Sequence, residues 1–249
     1  MKRNLFILVL AVIVLPACAK SGIAPIPTNP PAALQTEIPT QGIIDLSAKP
    51  TPGPLIFRDD FKDVLDSSWQ WTRENNKNWS LIANPGWLEI MAGPGSVGAG
   101  DMENLLMRQA PAGNFELEAS LKFKPTANNQ FSGLIIYESA KSFVQFGRGF
   151  CDTPKCTGDG YYMDLVSGGN STPENSTAKA IENDTVALRL QRQGNLFTAF
   201  VSENGAEWKV IGTNNDSLMP LFVGLVAGQA KNNPPIPALF DYFVVNALP

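Results

Sequence analysis

Phe115-Glu116-Leu117-Glu118-Ala119-Ser120-Leu121-Lys122-Phe123 alternates without a break between apolar and polar residues. A period of two places every second side chain on one face of an extended chain, so this stretch predicts a long strand with one buried and one polar face. Outward from it the same signal recurs. Phe131 to Tyr137 is a near-continuous apolar strand, and Val186, Leu188 and Leu190 alternate with Ala187, Arg189 and Gln191. Gln193-Gly194 leads into Leu196 to Val201, and Asn204-Gly205 leads into Trp208 to Ile211, both as hairpins whose turn residues accept positive φ. Leu221 to Ala227 and Leu239 to Val245 close the chain. Helix signals are almost absent. Roughly a dozen strands separated by turns predict an all-β fold, a two-sheet antiparallel sandwich.

Upstream of residue 55 the pattern is different. Residues 18–54 are dense in proline, lack aromatics and hold no apolar period, which reads as a tether and not a domain. Such a chain extends by about 3.1 Å per residue, on the order of 100 Å if stretched. Before it, residues 1–17 carry Lys2 and Arg3 followed by the uncharged run Leu5 to Leu15, the form of a secretory signal. The run ends in Leu15-Pro16-Ala17-Cys18, which resembles the lipobox of bacterial lipoproteins, with proline a departure from the usual small or β-branched residue. The resemblance implies acylation of Cys18 and an extracytoplasmic chain lipid-anchored to a bacterial membrane, at the cell surface or in the periplasm. Residues 55–249 remain as one sandwich domain.

Composition narrows the chemistry. The sequence contains no histidine, which removes Ser-His-Asp and Cys-His catalysis and His-ligated zinc. It has 19 Lys and Arg against 23 Asp and Glu; without Lys2 and Arg3 the balance is 17 against 23, or −6. The cations are spread singly, so nucleic acid is not an expected partner. With Cys18 set aside, Cys151 and Cys156 form an even pair five positions apart around Thr153-Pro154, which favours a local disulfide in an oxidising compartment. Five Asn-X-Ser/Thr triplets, among them Asn78-Trp79-Ser80, read as turn chemistry behind a bacterial signal.

One ordered set of blocks resembles a known family. It runs from Phe57-Arg58-Asp59-Asp60-Phe61 and Leu65-Asp66 through Trp69-Gln70-Trp71-Thr72-Arg73-Glu74-Asn75 to Trp79-Ser80-Leu81 and Pro85 to Ile90. Ser132 to Tyr137, Leu188-Arg189-Leu190, Val201 to Trp208 and Phe240-Asp241-Tyr242-Phe243 follow. Together they resemble the concanavalin A-like domain that follows the catalytic propeller in family 43 β-xylosidases and arabinofuranosidases, and related lectin-like domains of unknown function. The resemblance covers nearly all of residues 55–249. It implies a jelly-roll sandwich and a link to polysaccharide. The catalytic propeller is absent from this sequence, and so is the Glu-X-Asp-X-X-Glu strand of laminarinase-like jelly rolls: Phe115-Glu116-Leu117-Glu118 lacks the aspartate and the third carboxylate.

Candidate ligand-binding residues follow from sugar chemistry, in which aromatic faces cover C–H surfaces and planar polar groups pair with hydroxyls. Trp69 and Trp71 lie two apart on an expected strand, and Arg73 continues their face. Tyr137 and Arg148 end expected strands, and Arg189 lies on the polar face of its own. Trp71, Arg73, Tyr137, Arg148 and Arg189 are therefore the expected groove, with core packing of the tryptophans and a solvated polar face as the bland alternatives. Asp59, Asp60 and Asp241 lie on the first and last strands and offer oxygen ligands for a structural Ca²⁺, or else accept backbone N–H bonds at a strand edge. The expected function is non-catalytic binding of a polysaccharide or oligosaccharide by a surface lipoprotein. A module docking onto a partner hydrolase or transporter is the second reading. A glycosidase or lyase with an unrecognised site is the third.

Overall fold

The structure is a computed structural model that describes residues 53–249 apart from 155, 173–175, 181–182 and 231–232. The signal-like run, Cys18 and the tether as far as residue 52 lie outside the described residues. Sixteen strands and no helix occur among the described residues. In chain order they are β1 (Leu55–Asp59), β2 (Gln70–Thr72), β3 (Trp79–Ser80), β4 (Leu88–Ala92), β5 (Leu105–Gln109), β6 (Phe115–Lys122), β7 (Gln130–Ser139) and β8 (Ser142–Cys151). Then come β9 (Gly158–Ser167), β10 (Asn170–Ser171), β11 (Ser176–Lys179), β12 (Thr185–Gln193), β13 (Leu196–Ser202), β14 (Lys209–Asn215), β15 (Phe222–Gln229) and β16 (Ile236–Ala247).

They form two antiparallel sheets. The first has the order β14-β13-β12-β6-β16-β4-β3, with β1 also paired to β16. The second has the order β10-β9-β8-β7-β15-β5-β2, with β11 paired to β9. This is the two-sheet antiparallel sandwich that the alternation predicts, consistent with the jelly roll that the family resemblance implies.

Strand β6 explains the first sheet. Phe115, Leu117, Ala119 and Leu121 are fully buried against the second sheet. Register then sets the opposite face: Glu118 lies between Arg189 of β12 and Val244 of β16, and Glu116 lies between Gln191 and Asn246. Burying each large apolar side chain stabilises the fold by about 1.5–3 kcal/mol, which gives the interior far more weight than any surface pair.

The second sheet has apolar residues on both faces, which is why β7 reads as a near-continuous apolar run. Leu134 and Ile136 enter the main core, whereas Ile135 joins Leu105, Met107, Phe143 and Val226 in a smaller cluster on the outer face. Val97 and Met102, from the segment between β4 and β5, cover that cluster. The segment is pinned where Pro94 and Gly95 bridge to Gln229. Gly133 and Gly147 lie opposite each other on this face, and a Cβ on either would overlap the backbone oxygen of Phe146 or Ser132.

Of the expected hairpins, the one after Gln193 turns at Gly194 with φ of 59°. At Asn204-Gly205 only the glycine has positive φ, at 72°. Asn204 instead uses its side-chain oxygen to accept the N–H groups of Ala206 and Glu207, and β14 begins at Lys209 after a longer loop.

Candidate binding groove

A groove of about 510 Å³ lies on the outer face of the second sheet, within the size range of small-molecule clefts. One wall is the segment carrying Val97 and Met102. The other is built from Ser171, Thr172, Thr177 and the Cys151–Cys156 disulfide, whose Cα atoms are 5.5 Å apart. The expected bridge is present, and it shapes the rim of the groove.

The floor exists because side chains are missing there. A Cβ on Gly149 would sit 2.9 Å from the Gln130 carbonyl, 3.2 Å from the Phe131 ring and 3.4 Å from the Tyr162 ring. Phe131, Phe143 and Tyr162 supply the aromatic lining. Tyr162 is held by its hydroxyl, which donates to the Gly158 carbonyl at 2.5 Å.

Two polar groups stand out in this lining. Gln145 and Asp164 are cross-strand partners, and Gln145 Nε2 donates to Asp164 Oδ2 at 3.1 Å. Asp164, half-buried, lines the groove, and burial pushes its carboxyl above the usual range while the Gln145 bond offsets this only in part. It is the one charged side chain among the described lining residues. Gln229, 1% exposed, gives both amide protons away, to the carbonyls of Ala92 at 3.2 Å and Asn233 at 2.7 Å. Its Oε1 is buried and has no donor.

The five residues expected to form the site are not brought together. Trp71 faces inward from β2 and packs on Trp79 of β3, ring centroids 4.8 Å apart, closing the sandwich where the edges of the two sheets meet. Trp69 belongs to the main core. Arg73 does not continue their face: it follows the end of β2 with φ of 53° and is exposed. Arg148 lies between the sheets, 1% exposed. Its Nε and Nη2 grip Asp159 at 2.8 and 2.7 Å, and its Nη1 donates to the Asn183 carbonyl. Arg189 is on the opposite sheet from the groove, buried against Glu116 and Glu118 beneath the Trp208 ring. Tyr137 shares the face of the groove and pairs with Phe143, but it is not among the lining residues.

The three aspartates do not converge either. Asp59 accepts the N–H groups of Phe61 and Asp66 and the indole N–H of Trp69, at 2.9, 3.1 and 2.8 Å. Asp60 pairs with Arg58 at 2.6 Å, and Asp241 occupies the irregularity in the β16–β6 pairing. No cluster of three or more metal-ligating side chains occurs among the described residues, so the set does not fit calcium.

Asp164, Gln145 and Gln229 were missed from sequence. Their signal is a single polar residue at an outward position within an otherwise apolar strand, as in Phe143-Val144-Gln145-Phe146 and Tyr162-Met163-Asp164-Leu165.

With this geometry, a groove over one sheet of a jelly roll, the sequence matches the β-xylosidase C-terminal concanavalin A-like domain over residues 58–246. The chain belongs to that family. No curated protein sequence matches it. Among solved structures, the GH43 protein BlXynB of Bacillus licheniformis superposes with a TM-score of 0.69 at 19% identity, over 77% of this chain and 39% of that one. A xylan β-1,4-xylosidase of Bacillus halodurans gives 0.66 at 24% identity, over 81% and 41%. The chain therefore spans about two fifths of the length of these proteins. A β-1,3-glucanase of Mycobacterium marinum gives 0.52 at 18% identity and is covered over its whole length, 78% of this chain. At these identities the likeness establishes the fold.

Proposed function

We propose that this member of the family is a lipid-anchored protein that binds carbohydrate without cleaving it. The groove on the second sheet carries the reading. It offers aromatic faces beside fixed hydrogen-bonding groups, the combination that sugars require. Glycoside hydrolysis by the common mechanisms needs two facing carboxyl groups. The described lining has one, Asp164, and the pair Glu116 and Glu118 on the other sheet is engaged by Arg189. The lipobox-like Leu15-Pro16-Ala17-Cys18 and the proline-rich tether support display of the domain away from a membrane.

The test is calorimetry of the full chain against xylan-, arabinan-, β-glucan- and chitin-derived oligosaccharides, with a reducing-sugar assay in parallel. Binding without release of reducing ends is the expected outcome. Sugar release moves the protein to the enzymes. A second reading, docking onto a partner protein, draws on Met219 and Leu221, 71% and 54% exposed, beside Tyr137. Failure of every glycan to bind favours it.

A further inference from the structure

The one charged group of the described lining is an acceptor with room for further donors. Among the described residues Asp164 has one donor, Gln145, for two carboxylate oxygens that accept about four hydrogen bonds. Around Asp164 no described cation approaches. Strand β8 presents Phe143, Gln145 and Gly147, β11 presents Thr177, and β9 itself presents Tyr162 and Val166. Of these only Tyr162 carries an ionisable side chain, and its hydroxyl donates to the Gly158 carbonyl.

A half-buried carboxylate with one donor and no cation beside it carries part of the desolvation cost of a charge, which an incoming cation offsets. A neutral hydroxyl satisfies one lone pair and leaves the charge uncompensated. A uronate is repelled. An ammonium group brings three donors and the opposite charge, and the partly exposed ring of Phe131 attracts a cation as well as a sugar ring.

Resting on the carbohydrate-binding reading, we infer that the groove selects a glycan carrying a protonated primary amine, a de-N-acetylated amino sugar, with Asp164 as its anchor. N-acetylation removes the charge and two of the three N–H donors, so it removes the preference.

The experiment is calorimetry of the full chain with four probes: oligomers of glucosamine, N-acetylglucosamine, xylose and galacturonate. The pH is set where the sugar amine is protonated and Asp164 ionised. The glucosamine oligomer is expected to bind at least about tenfold more tightly than the other three, the range set by one charge-assisted hydrogen bond. Asp164→Asn, an isosteric change, is expected to erase that margin while the melting temperature holds or rises. The comparison of acetylated with free amine uses wild-type protein and is independent of any folding defect. Equal or tighter binding of xylose or N-acetylglucosamine oligomers overturns the amine inference and leaves carbohydrate binding standing. An undiminished preference in Asp164→Asn also overturns it. No binding of any probe overturns the amine inference, and failure of the arabinan- and β-glucan-derived oligosaccharides as well overturns carbohydrate binding.

Discussion

Arg189 Nε and Glu116 Oε1 meet at 3.3 Å on the outer face of the first sheet, with 4% and 0% of their side chains exposed. Glu118 closes on Arg189 Nη2 at 2.7 Å, Gln191 donates to Glu116 at 2.6 Å, and Trp208 stacks 3.9 Å above the guanidinium. Burial pushes the Glu116 carboxyl up, and Arg189 is the largest influence holding it down. Removing the cation strands a buried charge, which typically costs about 3–5 kcal/mol. Arg189→Ala is therefore expected to lower the melting temperature sharply and to leave glycan affinity in the surviving folded fraction unchanged. Arg189→Lys rescues little, since a point charge does not reproduce the planar fork or the stack on Trp208. A folded, stable Arg189→Ala protein that has lost its ligand would return Arg189 to the binding site.

Asp59 and Trp69 give a second case in which a candidate ligand is structural. The indole N–H of Trp69 and two backbone N–H groups consume the Asp59 carboxylate, while the Trp69 ring packs edge-on to Phe57 and Phe243. Hydrogen bonds to a charged acceptor contribute about 1.5–3 kcal/mol each. Asp59→Ala is expected to destabilise the domain by roughly that amount or more, and Asp59→Asn by less. Calcium and EDTA are expected to leave the melting temperature of the wild type unmoved. A rise of several degrees with calcium would restore the metal reading.

The contrast between fold and site has a physical origin. Alternation in Phe115 to Phe123 has a period fixed by the strand itself, so it is visible in one local window. The hairpin at Gly194 and the five-residue spacing of Cys151 and Cys156 are equally local. The partners of Arg189 are not: they are decided by β6–β12 register across some 70 residues of sequence. Trp71 was read as half of a platform because its face is set by period two, yet which face is interior depends on where β2 joins the second sheet. Arg73 left the expected face because it adopts a left-handed conformation, with its carbonyl accepting the N–H of Asn104, itself at φ of 51°. The groove needs the segment before β5 to fold back over the sheet at Gln229, a contact between residues more than 130 apart.

The disulfide is expected to serve both stability and the site. Closing so short a loop constrains the unfolded chain by about 2 kcal/mol in the chain-entropy account. For a domain of this size that corresponds to a loss of roughly 4–8 °C when Cys151 and Cys156 are both changed to Ser. Both residues line the groove, so the double variant is also expected to bind ligand more weakly. Intact mass before and after reduction reports the bridge. Two thiols alkylated without reductant would refute it.

The proposed anchoring rests on Leu15-Pro16-Ala17-Cys18 and the tether that follows. Each buried methylene of an acyl chain contributes ~0.8 kcal/mol of membrane affinity, so two or more chains on one cysteine hold stably. Cys18→Ser is expected to move the protein from the membrane fraction to the soluble one, or to leave it unprocessed. Unchanged fractionation together with an acyl mass elsewhere in the chain would exclude Cys18 as the anchor.

Asp164 allows the binding and stability arguments to be separated. Its folded-state carboxyl is raised by burial, whereas the unfolded chain titrates near the ordinary aspartate value of about 3.9. Between those two values the folded state holds more protons than the unfolded one, so stability falls as pH rises through that window. At neutral pH the ligand-free protein carries the cost of the ionised, half-buried group. Asp164→Asn removes that cost and keeps the shape. Its melting temperature is expected to exceed that of the wild type at pH 7, by about 2–4 °C for each kcal/mol relieved, and to converge with it at low pH. Glu116 is common to both proteins, so its own raised carboxyl cancels in the comparison. Calorimetric melting curves from pH 4 to pH 8 decide the matter. Parallel curves would mean that Asp164 is already compensated in the folded protein. A variant that gains stability and loses ligand is the signature of a group held at a cost for binding.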